Sequence, residues 1–498
     1  MKGRPSGGLD KVSGTYAIQQ QHLSTILLRL RVKHGPDWHK TEANEVEGYY
    51  PPTVCFLACQ TGFVCAWPSY TTALFRSNET VLSEPMSSLQ ISLLGSLSNL
   101  GGLLICPFCS YAFNNFGRKY ATMLFGLPYV IAWVMISLTS SVNVVLIAVT
   151  LAGIGIAGQN VSLIYISEIA HDSIRGGLTA CSASFYFLGL LISHILGGHL
   201  SYIQVVYTHM TLSTITVVML MLLKESPVYL VMAGKEKEAA EAIAFYRRLD
   251  VKSKEVEAEI AKIRLQIDPK LETMLGAQSK NESSWKFLVK SKSSQRALFM
   301  VLTIITLTIM MGCIVLQVYA EPLFMEAVPS LPPNQCAILV ALDFLVASLI
   351  CAFSIDKFGR KFFLIITSAA SGVCTLLLGA QLQFHWAPHW VTAMLIYVYS
   401  FVYTSGCATV PFVLAAEVFL PEVRSLCNSI AMGSVWIMNF ITLVIFNPLV
   451  ESVGLGLVFY LFSVVCFVGA VYSYFCVPET KGLSVTEIQK LFVKERRK

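Results

Sequence analysis

The chain has 498 residues, of which 55% are apolar and 13% charged, and its mean hydropathy is +0.63. A soluble domain is about a quarter charged, so this composition excludes a water-soluble globule. The net charge is +6, and of 36 lysines and arginines all but Arg76 fall on one side of a twelve-span hydropathy pattern; with no basic stripe interleaved with aromatics, this reads as membrane topology and excludes a nucleic-acid partner.

In chain order, residues 1–52 read as a cytoplasmic N-terminal tail. They open on MKGRPSGGLDKVSG, which lacks an apolar core, so no cleaved signal peptide is expected. Six spans follow near 53–74, 89–112, 120–140, 143–166, 178–200 and 204–223, forming a first bundle over 53–223. Asn78-Glu79-Thr80, in the first outside loop, is an N-glycosylation acceptor. Residues 224–297 are polar, and AGKEKEAAEAIAFYRRL and KEVEAEIAKIRLQI carry helical spacing under dense charge, predicting a cytoplasmic helical linker. Six more spans near 298–320, 336–354, 362–382, 391–415, 426–448 and 455–477 form a second bundle over 298–477. Residues 478–498 are a cytoplasmic tail.

The halves repeat one another. NNFGRK at 114–119 returns as DKFGRK at 356–361, YISEIAHDSIRG at 165–176 returns loosely as VLAAEVFLPEVRS at 413–425, and KESP at 224–227 echoes PETK at 478–481. Glu168 to Glu417 and Arg175 to Arg424 are both 249 residues apart. The fold class is therefore an all-α membrane protein, twelve transmembrane helices in two pseudo-symmetric six-helix bundles about a central cavity. That architecture suits alternating access.

Candidate chemistry sits at the helix ends and in the spans. Arg118, Glu168, Arg175, Asp356, Arg360, Glu417 and Arg424 lie at cytoplasmic helix ends, where opposite charges pair between helices and separate on opening; the plainer alternative is a set of topology anchors. Asp343 is an acid inside the eighth span, about two turns from its outer end, and is either a functional group or a hydrated, snorkelling acid. Gln159, Asn160 and His194 line the path or bond between helices. His385 and His389 have a metal-like spacing, but the intervening proline makes HWAPH a plain outside loop. Cys106 and Cys109 lie within an apolar span, and cysteines such as Cys59, Cys351 and Cys466 read as small packing residues. No nucleophile elbow, phosphate loop or metal quartet is present in the sequence, so neither an enzyme, a cofactor nor a bound metal is expected.

The paired G-R-K loops, the paired E-x(6)-R elements and the closing P-E-T-K-G, between about Cys59 and Gly482, are similar to those of the sugar porter family of the major facilitator superfamily. Within it the chain most resembles the insect facilitative trehalose and hexose transporters. The resemblance implies solute contacts at Gly312 and Tyr319 in span seven, Phe412 in span ten, and Trp436 and Asn439 in the intact W-x-x-N-F of span eleven. It also places Ala183, Thr308, Ile309 and Ile314 where the family carries four amides. The family's proton symporters carry an acid after the first-span G-[FY], whereas Val64 follows Gly62-Phe63 here.

The expectation is thus a monomeric, multi-pass plasma-membrane facilitator of a sugar, trehalose or a hexose, acting by uniport in the lipid bilayer. Asn439, Trp436, Phe412, Tyr319, Thr308 and Gly312 are its substrate contacts. The alternatives are a facilitator of a less hydroxylated organic solute, which the missing amides would suit, or a non-transporting nutrient sensor of the same fold.

Overall fold

The computed structural model describes residues 50–170, 175–267, 284–483 and 485–494. Of the expected N-terminal tail, residues 1–49 lie outside the described residues, as do the side chains of Gln159, Asn160, Arg175 and Asp356.

The first half is six helices: α1 (Tyr50–Arg76), α2 (Ser88–Phe116), α3 (Arg118–Leu138), α4 (Val142–Ile169), α5 (Arg175–His199) and α6 (Tyr202–Met221). Local chemistry sets several of their starts. Ser87 with Gln90, and Ser201 with Gln204, form capping boxes ahead of α2 and α6. Short helices follow, α7 (Pro227–Met232), α8 (Glu236–Arg247), α9 (Lys254–Ile267) and α10 (Ser284–Lys290). The two predicted amphipathic stretches are α8 and α9, which pack through Ile243, Val256 and Ile263 and are tied by an Arg247–Glu259 pair at 3.0 Å.

The second half departs from six plain rods. Span seven is broken into α11 (Lys292–Met310), α12 (Cys313–Val318) and α13 (Ala320–Ala327), and span ten into α16 (His389–Ser405) and α17 (Val410–Val418). The other spans are unbroken: α14 (Pro333–Phe358), α15 (Arg360–Phe384), α18 (Pro421–Val453) and α19 (Leu455–Cys476). A last helix, α20 (Val485–Lys494), returns to the bundle through Gln489 Nε2 on the Val418 carbonyl at 2.7 Å.

Ten of these segments are long and apolar enough to cross a membrane by length and composition. The remaining two spans, α1 and α5, have 27 and 25 residues. On α1 the hydropathy is diluted by Gln60 and Thr61, whose polar side chains turn inward and are buried.

Packing repeats with the sequence. In the first half α1 packs on α5, α2 on α4, and α3 on both α4 and α6; in the second, α11 packs on α18, α14 on α16, and α15 on both α16 and α19. Between halves α2 lies along α18, α5 along α14, and α1 against α12 and α13. Lipid gives helices no hydrophobic reason to associate, so small residues that let backbones approach carry much of this packing. Cys59, Cys351 and Cys466 are buried within it.

Candidate functional site at the seam between the halves

Span seven stops at Met311 because Gly312 takes φ +91°, a left-handed conformation that interrupts the helical ladder and that an L side chain resists. Two carbonyls at this break are held by α16. Tyr399 donates its hydroxyl to the Met311 carbonyl at 2.6 Å, and Tyr403 to the Thr308 carbonyl at 2.9 Å. A second interruption at Tyr319 leaves α13 a separate half-helix.

The six expected solute contacts divide into three groups. Trp436 is 9% exposed, its ring lies on α2 where a Cβ at Gly102 would sit 3.3 Å away, and its Nε1 has no hydrogen-bond partner among the described residues. Asn439, three residues on and so on the same helix face, is half-buried with no bond from its amide among the described residues. Phe412 is 40% exposed on α17. Thr308 is buried and its hydroxyl donates back to the Ile304 and Ile305 carbonyls, both at 3.0 Å, so it and Gly312 shape the wall around the break. Tyr319 belongs elsewhere: its hydroxyl donates to the Ile91 and Ser92 carbonyls of α2 at 3.4 and 3.3 Å, at the end away from the linker.

Two amides that the sequence reading passed over also lie on the seam. Gln317 of α12 accepts the Tyr186 hydroxyl of α5 at 2.7 Å. Asn99 of α2, buried, shares the helix stripe of Gly95 and Gly102, which meet Tyr319 and Trp436. Gln317 was recoverable as the one amide between Gly312 and Tyr319; Asn99 carries no motif, and only the packing of α2 on α18 singles it out.

At the end away from the linker, bonds cross the seam. Besides Tyr319, the Glu321 N–H donates to Ser69 Oγ at 2.9 Å, and Asn447 Nδ2 donates to Ser92 Oγ at 3.2 Å. Asn334 Nδ2 bridges the Glu321 carboxylate at 2.7 Å and the His194 carbonyl at 3.2 Å. Arg76 pairs with Glu451 at 3.1 Å, and Ser88 Oγ also donates to Glu451.

At the linker end, the expected gate pairs among the described residues bond within each half. Arg118 forks onto Glu168 at 2.9 Å, Ser226 Oγ donates to the same carboxylate, and Glu225 accepts the backbone N–H groups of Arg118 and Lys119 at 2.8 and 3.0 Å. Burial pushes the Glu225 carboxyl up from its ordinary range, while those backbone donors pull it down. The second half repeats the arrangement with Arg360 on Glu417 at 2.9 Å, Thr480 Oγ1 on Glu417 at 2.6 Å, and Glu479 accepting from the N–H groups of Arg360 and Lys361 at 3.0 and 3.2 Å. The φ of +87° at both Gly117 and Gly359 turns those N–H groups onto the acids. The KESP and PETK echo is thus one structural element used twice. Arg424 takes the Phe419 carbonyl at 3.4 Å and has no acidic partner among the described residues.

Asp343 lies ten residues, about 15 Å, along α14 from its start at Pro333. Ser400 Oγ donates to its Oδ2.

With this geometry in place, residues 46–492 match the family described as "Sugar (and other) transporter". The chain belongs to this family. It is 26% identical over 444 residues to the facilitated trehalose transporter Tret1 of Polypedilum vanderplanki, covering 86% of this chain and 84% of that one. It is 24% identical over 401 residues to Tret1 of Aedes aegypti, covering 78% of this chain and 48% of that longer one. Among solved structures, the inward-open xylose transporter XylE from E. coli superposes with a TM-score of 0.73 at 18% identity, covering 89% of this chain and 98% of that one. This member of the sugar transporter family is therefore a multi-pass membrane protein with the twelve-helix major facilitator fold.

Proposed function

We infer that this chain is a facilitative transporter that carries trehalose or a hexose down its gradient by alternating access. The observation that carries the reading is the asymmetry of the seam in a chain of this family: among the described residues, polar bonds join the halves at one end, while at the other Arg118, Glu168, Arg360 and Glu417 bond within each half. A transporter with one end sealed holds its central site open to the other side. The basic residues clustered at the linker end support placing that end in the cytoplasm, with the sealed end outside and Asn78, which is exposed, available for glycosylation there. The state is then inward-facing, and we place the protein in the plasma membrane, where a sugar facilitator would meet a solute gradient.

The solute site lies at the seam. Asn439, Gln317 and Asn99 supply amides for sugar hydroxyls, which are costly to desolvate unpaired. Trp436, with a free indole N–H, offers both a ring face and a donor. Val64, where an acid would serve proton coupling, supports uniport, and the chain is proposed to work as a monomer. Purified protein in liposomes preloaded with trehalose or glucose tests this by counterflow of the labelled sugar. Exchange that is stereoselective and indifferent to a collapsed pH gradient is expected; absence of exchange for both sugars would overturn the reading.

A further inference from the structure

Away from the seam, between α14 and α16, lies a cavity of about 310 Å³ lined by Gln335, Leu339, Trp390, Met394 and Tyr397 among others. Leu339, Trp390 and Met394 are between 50% and 60% exposed on membrane-spanning helices, so the slot opens to lipid. Beyond this lining, the next turn of both helices is polar. Asp343 lies one turn beyond Leu339 on α14, Ser400 lies three residues beyond Tyr397 on α16, and the two are joined by the Ser400 hydroxyl on Asp343 Oδ2. Tyr397 stands between wall and floor, bonded to Cys336 and adjacent to Asp343.

Among the described residues the Asp343 carboxyl has no cationic partner, and its second oxygen has no hydrogen-bond donor. An acid inside a membrane span without a counter-charge is costly and marks a site. An apolar slot entered from lipid, with a carboxyl that has no counter-charge one helical turn beyond its wall, is complementary to a molecule with an apolar body and a cationic donor head long enough to reach past Tyr397.

We propose that this slot binds a membrane-dissolved primary amine, its ammonium on Asp343 and its apolar body between Leu339 and Met394. The site bears on transport because the Tyr397 ring lies 5.9 Å from the ring of Phe324 on α13, the half-helix whose Glu321 takes part in the seal. An amine seated against Tyr397 braces α13 in its sealed position and slows the transport cycle.

The test uses the full-length protein in phosphatidylcholine nanodiscs and two probes, decylamine and decanol, each with a diazirine in the alkyl chain. After photolysis and peptide mapping, adducts of the amine are expected to concentrate on Leu339, Trp390 and Met394, to be competed by dodecylamine, and to exceed those of the alcohol at least tenfold. Asp343→Asn should remove that excess. Leu339→Trp fills the slot with Asp343 intact and should remove the adducts themselves, which keeps the test decisive if the aspartate variant does not fold. Amine adducts spread evenly over lipid-facing residues, or equal labelling by amine and alcohol, would overturn the proposal. Because labelling is scored without sugar flux, its failure is separate from any failure of the transport reading.

Discussion

The two ends of the bundle hold their polar groups in opposite ways. At the linker end Arg118 bonds Glu168 and Arg360 bonds Glu417, each pair inside one half, each backed by an acid that grips the following backbone turn. At the sealed end Tyr319, Asn334, Asn447 and Arg76 all reach across the seam, and the contacts of one half have no counterpart in the other. Bonds within a half survive a rocking motion of the halves, whereas bonds across the seam exist in one state only. The linker-end clusters therefore make each half a rigid body, and the sealed-end bonds set which state is populated.

Removing a clamp tests the first half of that contrast and should give the largest effect. The Arg118 and Glu168 side chains are 9% and 13% exposed, so Arg118→Ala strands a buried carboxylate, at a cost of about 3–5 kcal/mol. The expected outcome is a large fall in the melting temperature of the purified protein. Arg360→Ala should cost less, since Glu417 is 28% exposed and water can replace the guanidinium. Equal losses at the two sites would show that burial does not separate the halves.

A wedge at the sealed end tests the other half. A Cβ at Gly95 would collide with the Tyr319 hydroxyl, so Gly95→Leu expels that ring from α2 while leaving both clamps intact. A cysteine placed at Ser69, buried under Glu321 in the sealed state, reports the result. Its labelling by a membrane-impermeant maleimide applied from the sealed side should rise about tenfold, equivalent to roughly 1.4 kcal/mol of bias toward opening there. Unchanged labelling would mean that Tyr319 does not hold the seam.

This division also explains what the sequence disclosed. Spans, linker helices and paired motifs are local or periodic, and α8, α9 and the twelve crossings were legible from apolar spacing alone. The KESP and PETK echo was visible too, but that Glu225 and Glu479 grip the turns at Gly117 and Gly359 depends on contacts between residues more than a hundred positions apart. Cross-seam partners leave still less trace: Asn334 with His194, Gln317 with Tyr186 and Tyr319 with Ser92 join single side chains to distant backbone or hydroxyls, with neither period nor repeat. Family position assigned Thr308 and Tyr319 to the solute, yet Thr308 spends its hydroxyl on its own helix and Tyr319 lies in the seal. Asp343 reads from the sequence as about two turns from the outer end of its span, near Asn334 and Gln335; α14 begins at Pro333, where a missing N–H costs nothing, and so carries the acid ten residues in.

Substitution at the seam's centre should have an intermediate effect that separates binding from gating. Asn439→Ala removes an amide with no other partner among the described residues, so the loss falls on the solute: a rise in KM of about fivefold to tenfold, near 1–1.4 kcal/mol, at nearly unchanged kcat. Gln317→Ala also frees Tyr186, and should change kcat as well as KM in counterflow. A matching kcat loss in both variants would place Asn439 in the gate.

The smallest effect is expected from the ion pair at the rim. Arg76 and Glu451 are 45% and 54% exposed, so Glu451→Gln should alter stability by less than about 1 kcal/mol. Because this pair spans the seam, even a few tenths of a kcal/mol shift the balance of states, and counterflow limited by opening at the sealed end should quicken by up to about threefold. Salt supplies the discriminating control. Raising ionic strength to about 1 M shortens the Debye length to about 3 Å, which should bring the wild type to the variant's rate while leaving the variant unmoved. A variant that responds to salt as strongly as the wild type would assign the latch to the neutral bonds of Asn334, Asn447 and Tyr319.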